Sequence, residues 1–469
     1  MIRRSLALAL TFALLPAAVH AEDLLQTYEL ARAGDPQLSA AESGRLATRE
    51  GAVQARAALL PQIDGTATLE KARNDSSSIG ISRDSSGNII FGPNTGESDT
   101  TSRNLNVGAR QMIYDRSNFT RLQSQNALSR ASDFQLESAG DSLVTRTSQA
   151  YFNVLVAIET LAAAQAQETA LKKQFDFADK RLEVGLAPIT DVHEARARYD
   201  SARANTIVVR NALEDAYQAL VEIAGQPVRN LKGLPQNFQP ALPAEQDAEG
   251  WVDTAIEHNP ALIAKQHQVR SAEADIETAR AGHWPTLYAN GGYGDQKVWG
   301  DNTFNGLTSP ADRSGRGPTV GITLNVPIFS GGATQSRVRQ ALARRDVSQD
   351  ELEQQKRALV RNTRNAYQTL VAGISEVEAR KQAVFSARSA YEASQVGLEV
   401  GTRTVLDVLT NQQTLFNAER EYALARYNFL QNRLLLEQAA GTLDIADVQD
   451  VNRLLTVEAE AELREPPNR

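Results

Sequence analysis

One stretch of this chain occurs twice, and it limits what the chain can fold into. Residues 181–192 read Arg-Leu-Glu-Val-Gly-Leu-Ala-Pro-Ile-Thr-Asp-Val, and residues 397–408 read Gly-Leu-Glu-Val-Gly-Thr-Arg-Thr-Val-Leu-Asp-Val. Six positions are identical (Leu182/Leu398, Glu183/Glu399, Val184/Val400, Gly185/Gly401, Asp191/Asp407, Val192/Val408), all with the same separation of 216. Each copy sits where one long 3-4 apolar pattern stops and another starts. Glycine ends a helix by taking a positive φ at low steric cost. Pro188 and Thr190 suit the first turn of a returning helix, and Asp191 is favourable near its positive end. The stretch is predicted to be the tip of an antiparallel helix hairpin, built twice.

The flanking heptad seams agree. Ala150, Val154, Ala157, Leu161, Ala164, Leu171, Phe175, Ala178 and Leu182 are answered by Val192, Ala195, Tyr199, Ala202, Thr206, Val209, Leu213, Ala216, Leu220 and Ile223. The second copy places Ala366, Leu370, Gly373, Val377, Val384, Ala387, Tyr391 and Leu398 against Leu415, Ala418, Tyr422, Ala425, Phe429 and Leu436. Alternating small and large residues at a 3.5 repeat predict close, left-handed coiling. The pattern from Asn118 to Val184 amounts to about 100 Å of helix.

The duplication extends through the chain. Asp35-Pro36 matches Asn259-Pro260, and Ala55-Arg56-Ala57 matches Ala279-Arg280-Ala281, both at a separation of 224. The first repeat is therefore set at 22–225 and the second at 251–441, joined by a proline-bearing linker at 226–250. The tips fall at 185–190 and 401–406. A tail at 442–469 is expected to be disordered from about Glu458.

Between the helical stretches the period changes to two. Val320, Ile322, Leu324, Val326 and Ile328 share one face, with Thr319, Gly321, Thr323 and Asn325 on the other. Comparable alternation marks Leu105, Val107 and Ala109, then Ile63, Gly65, Ala67 and Leu69, then Leu287, Ala289, Gly291 and Tyr293. Four strands are predicted, at 62–72, 103–113, 285–296 and 317–328, each of about the length that crosses a membrane when tilted. Tyr114, Trp284 and Phe329 at their ends suit an interfacial belt. Residues 73–102 and 297–316, rich in Gly, Ser, Asn and Asp, are predicted to be exposed loops. A soluble sandwich would also use such strands.

Residues 1–21, with Arg3, Arg4, the run Leu6 to Leu15 and Val19-His20-Ala21, have the form of a secretory signal. No other apolar run approaches the length of a spanning helix, so a membrane crossing by the mature chain would be a β-barrel. Even the smallest membrane barrels use eight strands, so four per chain require several copies. The chain has no cysteine, which excludes disulfides, thiolate metal sites and a lipid-bearing thiol. A net charge of −8 argues against a nucleic-acid partner. His258, His267 and His283 show no ligand spacing, and no carboxylate pair or phosphate loop stands out, so neither a metal, a cofactor nor an enzyme activity is expected. A non-conducting periplasmic coiled-coil adaptor would share the seams but has no use for the strands.

The residues 184–192 and 400–408, with Ala425-Arg426-Tyr427-Asn428 and Gly441-Thr442-Leu443, resemble the TolC family of outer-membrane exit ducts over nearly the whole mature chain. The resemblance implies an α+β membrane protein: a homotrimeric 12-stranded barrel in outer-membrane lipid, continued by an α-helical tunnel in the periplasm. It implies docking, through tips at Gly185, Leu186, Gly401 and Thr402, on a periplasmic adaptor (membrane fusion) protein. An inner-membrane ABC, RND or MFS type transporter would supply drugs or secreted proteins. It implies gate links from Arg403 to Thr190 and Asp191, with Leu398 where the family has a tyrosine. The pore constriction falls on Asp407 and Thr410, where the family has two aspartates.

Overall fold

The computed structural model describes residues 23–243 and 247–464. The signal expected at 1–21 lies outside them, as do the last five residues of the tail.

The same element order recurs. The first half runs α1 (Leu24–Gly34), α2 (Pro36–Ala57), β1 (Gln62–Arg83), β2 (Ile89–Tyr114), α3 (Arg116–Glu183) and α4 (Ile189–Ala224). After a two-residue strand, β3 (Lys232–Gly233), come α5 (Ala248–His258), α6 (Pro260–Arg280), β4 (Thr286–Phe304), β5 (Leu307–Pro310), β6 (Arg313–Asn325), α7 (Ala333–Glu399) and α8 (Val405–Ala440). Matched helices agree closely in length: 11 and 11 residues, 22 and 21, 68 and 67, 36 and 36. The chain ends with α9 (Ile445–Leu454), β7 (Val457–Glu458) and α10 (Ala461–Arg464).

The matched breaks have one physical cause. At the first, the Asp35 carboxylate accepts from Leu38 N at 2.8 Å; at the second, Asn259 Oδ1 accepts from Leu262 N at 3.1 Å. Each side chain satisfies an orphan amide of the next helix, and the following proline sits at the position where a missing N–H costs nothing.

The chain divides into two compact units. One holds the described residues up to Gly44, with Phe134–Ile263 and those from Glu353 onward; the other holds Arg45–Asp133 and Ala264–Leu352.

In the second unit, β1, β2, β4 and β6 form an antiparallel sheet in that order, with β5 pairing the far end of β4. Its register gathers the four predicted apolar sets onto one face. Ile63 opposes Ala109, which opposes Gly291, which opposes Val320; Val107 opposes Tyr293, Ala289 opposes Ile322 and Leu287 opposes Leu324. The opposite face carries Thr66, Asn106, Asn104, Asn290 and Thr323. Among the described residues nothing covers the apolar face along β6: Val320 is 91% exposed and Ile322 71%.

The strands are longer than their apolar patterns. Residues expected in the loops 73–102 and 297–316 continue the ladder, so β1 and β2 pair from Gln62↔Arg110 out to Arg83↔Ile89 and only residues 84–88 turn. A ladder needs backbone amides, not apolar side chains. At the other end β6 stops at Asn325, before Pro327, which has no N–H to donate. Val326 and Ile328, expected in that strand, lie beyond it.

The first unit has its core where α3 and α8 meet the linker. Tyr151, Phe152, Leu155 and Ile158 of α3 pack with Tyr427, Phe429, Leu430 and Leu434 of α8, all essentially buried. The Phe152 and Tyr427 rings stack at 5.8 Å. Tyr427 Oη donates to Glu159 Oε1 at 2.9 Å and accepts from Leu234 N at 3.3 Å, while Arg426 donates to Glu159 Oε2 at 2.6 Å and to the Pro235 carbonyl at 3.3 Å. The Ala425–Asn428 motif thus pins the linker to two helices. The tail expected to be disordered from Glu458 is ordered to Arg464: β7 pairs β3, Ala459 N donates to Leu231 O, and Glu460 accepts from the Tyr217 hydroxyl at 2.6 Å.

Candidate gate and docking tips

The two tips close as Schellman turns. In the first, Leu186 N donates to Arg181 O at 2.8 Å and Gly185 N to Leu182 O at 2.9 Å, with Gly185 at φ +75°. In the second, Thr402 N donates to Gly397 O at 2.8 Å and Gly401 N to Leu398 O at 3.2 Å, with Gly401 at φ +79°. These bonds satisfy the last carbonyls of α3 and α7 and require the left-handed backbone that glycine supplies. A Cβ on either glycine would meet nothing within 4 Å, so both tips present open backbone. Leu186 and Thr402 beside them are exposed.

The returning helices start differently. Pro188 begins α4 with no side-chain cap, and Asp191 sits in its first turn with Thr190 Oγ1 at 3.4 Å. At α8, Thr404 Oγ1 accepts from Asp407 N at 3.2 Å while Asp407 Oδ2 accepts from Thr404 N at 2.9 Å, a capping box. The bonds from Thr404, aided by nearby Arg403, hold the Asp407 carboxyl below the usual carboxylate range.

Asp407 and Thr410 lie three residues apart on α8 and so share a face. Val408 and Leu409 between them are buried, Leu409 in a cluster with Leu171 and Ala202 that ties the second hairpin to the first. Thr410 is exposed, its hydroxyl bonded to the Leu406 carbonyl at 2.9 Å. Leu398 is half-buried on α7.

Within one chain Arg403 forms no ion pair with Asp191 among the described residues. Its side chain packs instead over Gly397, where an added Cβ would come within 2.6 Å of Arg403 Cγ. Gly397 and Thr404 are the two residues that the sequence reading passed over. Thr404 had a signal, the Thr-x-x-acid spacing of a capping box, whereas Gly397 differs from its counterpart Arg181 and gave none.

A buried acidic site lies where α8 meets α9. Glu437, 4% exposed, accepts from Arg433 Nε at 3.2 Å, and its second carboxylate oxygen has no partner among the described residues. Burial, together with Asp447, outweighs Arg433 and pushes its carboxyl up to about 7.

Long antiparallel helix hairpins with glycine tips, joined to a sheet bearing one bare apolar face, define a class of protein that joins a membrane β-domain to an α-helical hairpin domain. The outer membrane efflux protein family matches residues 27–226 and 251–442. Outer membrane protein TolC of Vibrio cholerae serotype O1 is 34% identical over 443 residues, 94% of this chain and 96% of that protein. The alkaline protease secretion protein AprF of Pseudomonas aeruginosa is 30% identical over 430 residues, 91% of this chain and 86% of that protein. Among solved structures the Campylobacter jejuni CmeC outer membrane channel shares the fold, with TM-score 0.72 at 18% identity over 93% of this chain and 90% of that one. The chain belongs to the outer membrane efflux protein family. It is an outer-membrane exit duct for efflux.

Proposed function

We propose that three copies of the chain close into a twelve-stranded barrel in the outer membrane, continued by the long helix hairpins as a tunnel through the periplasm. The observation that carries this is the sheet: an exposed apolar face on strands whose two outer members, β1 and β6, each have one open edge among the described residues. An open edge cannot persist in hydrocarbon, where each unpaired amide and carbonyl costs several kcal/mol. Joining β6 of one copy to β1 of the next removes every edge at once. The apolar face then meets lipid and the Asn- and Thr-bearing face lines the lumen.

The helix-hairpin tips dock on a periplasmic adaptor protein, and an inner-membrane ABC, RND or MFS type transporter delivers drugs or, as in type I secretion, proteins; the name of AprF, an alkaline protease secretion protein, supports the second cargo. Asp407 and Thr410 form the narrowest ring when three α8 helices converge. Arg403, Thr190, Asp191 and Leu398 form the links that hold the coiled hairpins closed. The internal duplication gives each copy two hairpins and two strand pairs.

The test is extraction. The protein should leave membranes only with detergent, run as a trimer unless heated, and conduct in planar bilayers. A protein extracted by salt alone, or one that carries no current, would overturn the duct.

A further inference from the structure

On the apolar face of the sheet, the register stacks side chains in rows across the strands. The row Gly65, Val107, Tyr293 and Pro318 is uncharged. The next row toward the hairpin ends is Ala67, Leu105, Asp295 and Arg316, the one after it is Leu69, Arg103, Lys297 and Ser314, and Lys71, Thr101 and Trp299 follow. Charge therefore begins abruptly, at one level, directly above the apolar rows.

The charges at that level do not balance. Arg103 and Lys297 are direct cross-strand partners, a placement that sets two cations about 5 Å apart at Cβ and is destabilising unless an anion lies between them. Arg103 reaches Asp295 at 3.3 Å, but its Nε is buried without a hydrogen-bond partner. Lys297 and Arg316 have no hydrogen bond or ion pair among the described residues. A cleft of about 400 Å³ opens there, lined by Arg103, Lys297, Trp299, Asp312 and Arg313. In the next two rows the β1 cations are matched: Lys71 pairs with Asp99 at 3.3 Å and Arg73 with Glu97.

We propose that Arg103, Lys297 and Arg316 bind a phosphate group of the glycolipid in the outer leaflet of the outer membrane. This rests on the barrel reading above, which turns this face to lipid, with the turns of β1–β2 and β4–β5 on the side away from the periplasmic helices. A guanidinium presents a planar fork of donors that fits two phosphate oxygens, and an ammonium adds a point charge. A membrane glycolipid meets the remaining conditions. Its acyl chains lie along Leu105, Val107 and Tyr293, its phosphate reaches the cations of the next rows, and the amphipathic ring of Trp299 lies one row beyond Lys297, on the headgroup side. A free anion would have only the charges, at an open and salt-screened surface.

The test uses the full-length chain in detergent and native mass spectrometry. The probes are bisphosphorylated lipid A, its dephosphorylated form, and inorganic phosphate as competitor. Wild-type protein should retain the bisphosphorylated lipid about tenfold more tightly than the dephosphorylated one, and the double variant Lys297→Gln/Arg316→Gln should lose that preference while remaining a conducting trimer. A double variant that keeps the preference would overturn the site. So would displacement of the lipid by millimolar inorganic phosphate, which would assign the cluster to a free anion. Wild-type protein that forms no conducting trimer would instead overturn the duct reading, and this site with it.

Discussion

Thr404 and Asp407 cap each other at the start of α8: the threonine hydroxyl accepts from the aspartate amide at 3.2 Å, and the carboxylate accepts from the threonine amide and hydroxyl, each at 2.9 Å. Asp407 therefore has a local task that is independent of any pore. Its two roles separate by substitution. Asp407→Asn keeps an acceptor for the cap and removes the charge, whereas Asp407→Ala removes both. If three Asp407 side chains ring the tunnel, both variants lose cation selectivity and block by multivalent cations from the periplasmic side, and only Asp407→Ala also lowers the melting temperature. Thr410→Asp adds a second ring one turn on and should tighten the block. Block indifferent to all three variants would place the constriction elsewhere.

Arg403 owes its position to Gly397. A methyl at 397 collides with the arginine stem, so Gly397→Ala displaces a guanidinium that it does not touch chemically. If Arg403 bonds to Asp191 in the closed trimer, a charge-assisted contact of about 1.5–3 kcal/mol is at stake in each protomer. Arg403→Ser and Gly397→Ala should then both raise conductance in planar bilayers, with trimers intact. Unchanged conductance in the two would remove Arg403 from the gate.

The tip glycines make the docking prediction. Gly401 has φ +79° with open space around it, so an arginine there strains the backbone by about 1–2 kcal/mol and fills the approach to the tip. Gly401→Arg should leave the trimer formed and abolish export and adaptor cross-linking. Persistent export with normal cross-linking would place docking elsewhere.

Glu437 makes stability depend on pH. Its folded carboxyl titrates at about 7, above its unfolded value, so between the two the folded state holds the extra proton and stability falls as pH rises. The cost is absent below the unfolded carboxylate pKa and complete above about pH 7, on the order of 3 kcal/mol. Glu437→Gln, which still accepts from Arg433, should raise the melting temperature at pH 8 and leave it nearly unchanged at pH 4. A variant no more stable than wild type at pH 8 would contradict this.

Much of this was legible in the sequence, because its signals are local. Gly185 and Gly401 mark helix ends by backbone chemistry alone, and the faces of the strands follow from period-two alternation at Val320, Ile322 and Leu324. The outer halves of β1 and β2 were not legible: from Arg73 to Arg83 and from Ile89 to Ser102 mostly polar residues face both ways, and the ladder rests on amides that leave no side-chain pattern. The tail escaped for a different reason. Ala459 and Glu460 are held by Leu231 and Tyr217, more than 200 residues away, through contacts that no local periodicity encodes. At the gate, Asp407 was visible as a repeated residue and Thr404 carried the Thr-x-x-acid spacing of a cap, but the packing of Arg403 over Gly397 had to be read from geometry.

The central claim is that this chain conducts only as three copies. Because it contains no cysteine, a single cysteine placed on each of the facing edges of β1 and β6 can form disulfides only between those positions. The most direct measurement oxidises such a doubly substituted protein in its membrane, denatures it, and determines its covalent mass alongside its bilayer conductance. The account predicts a closed ladder ending at three chains, with conductance retained. A ladder that ends at two, continues past three, or never forms would contradict it.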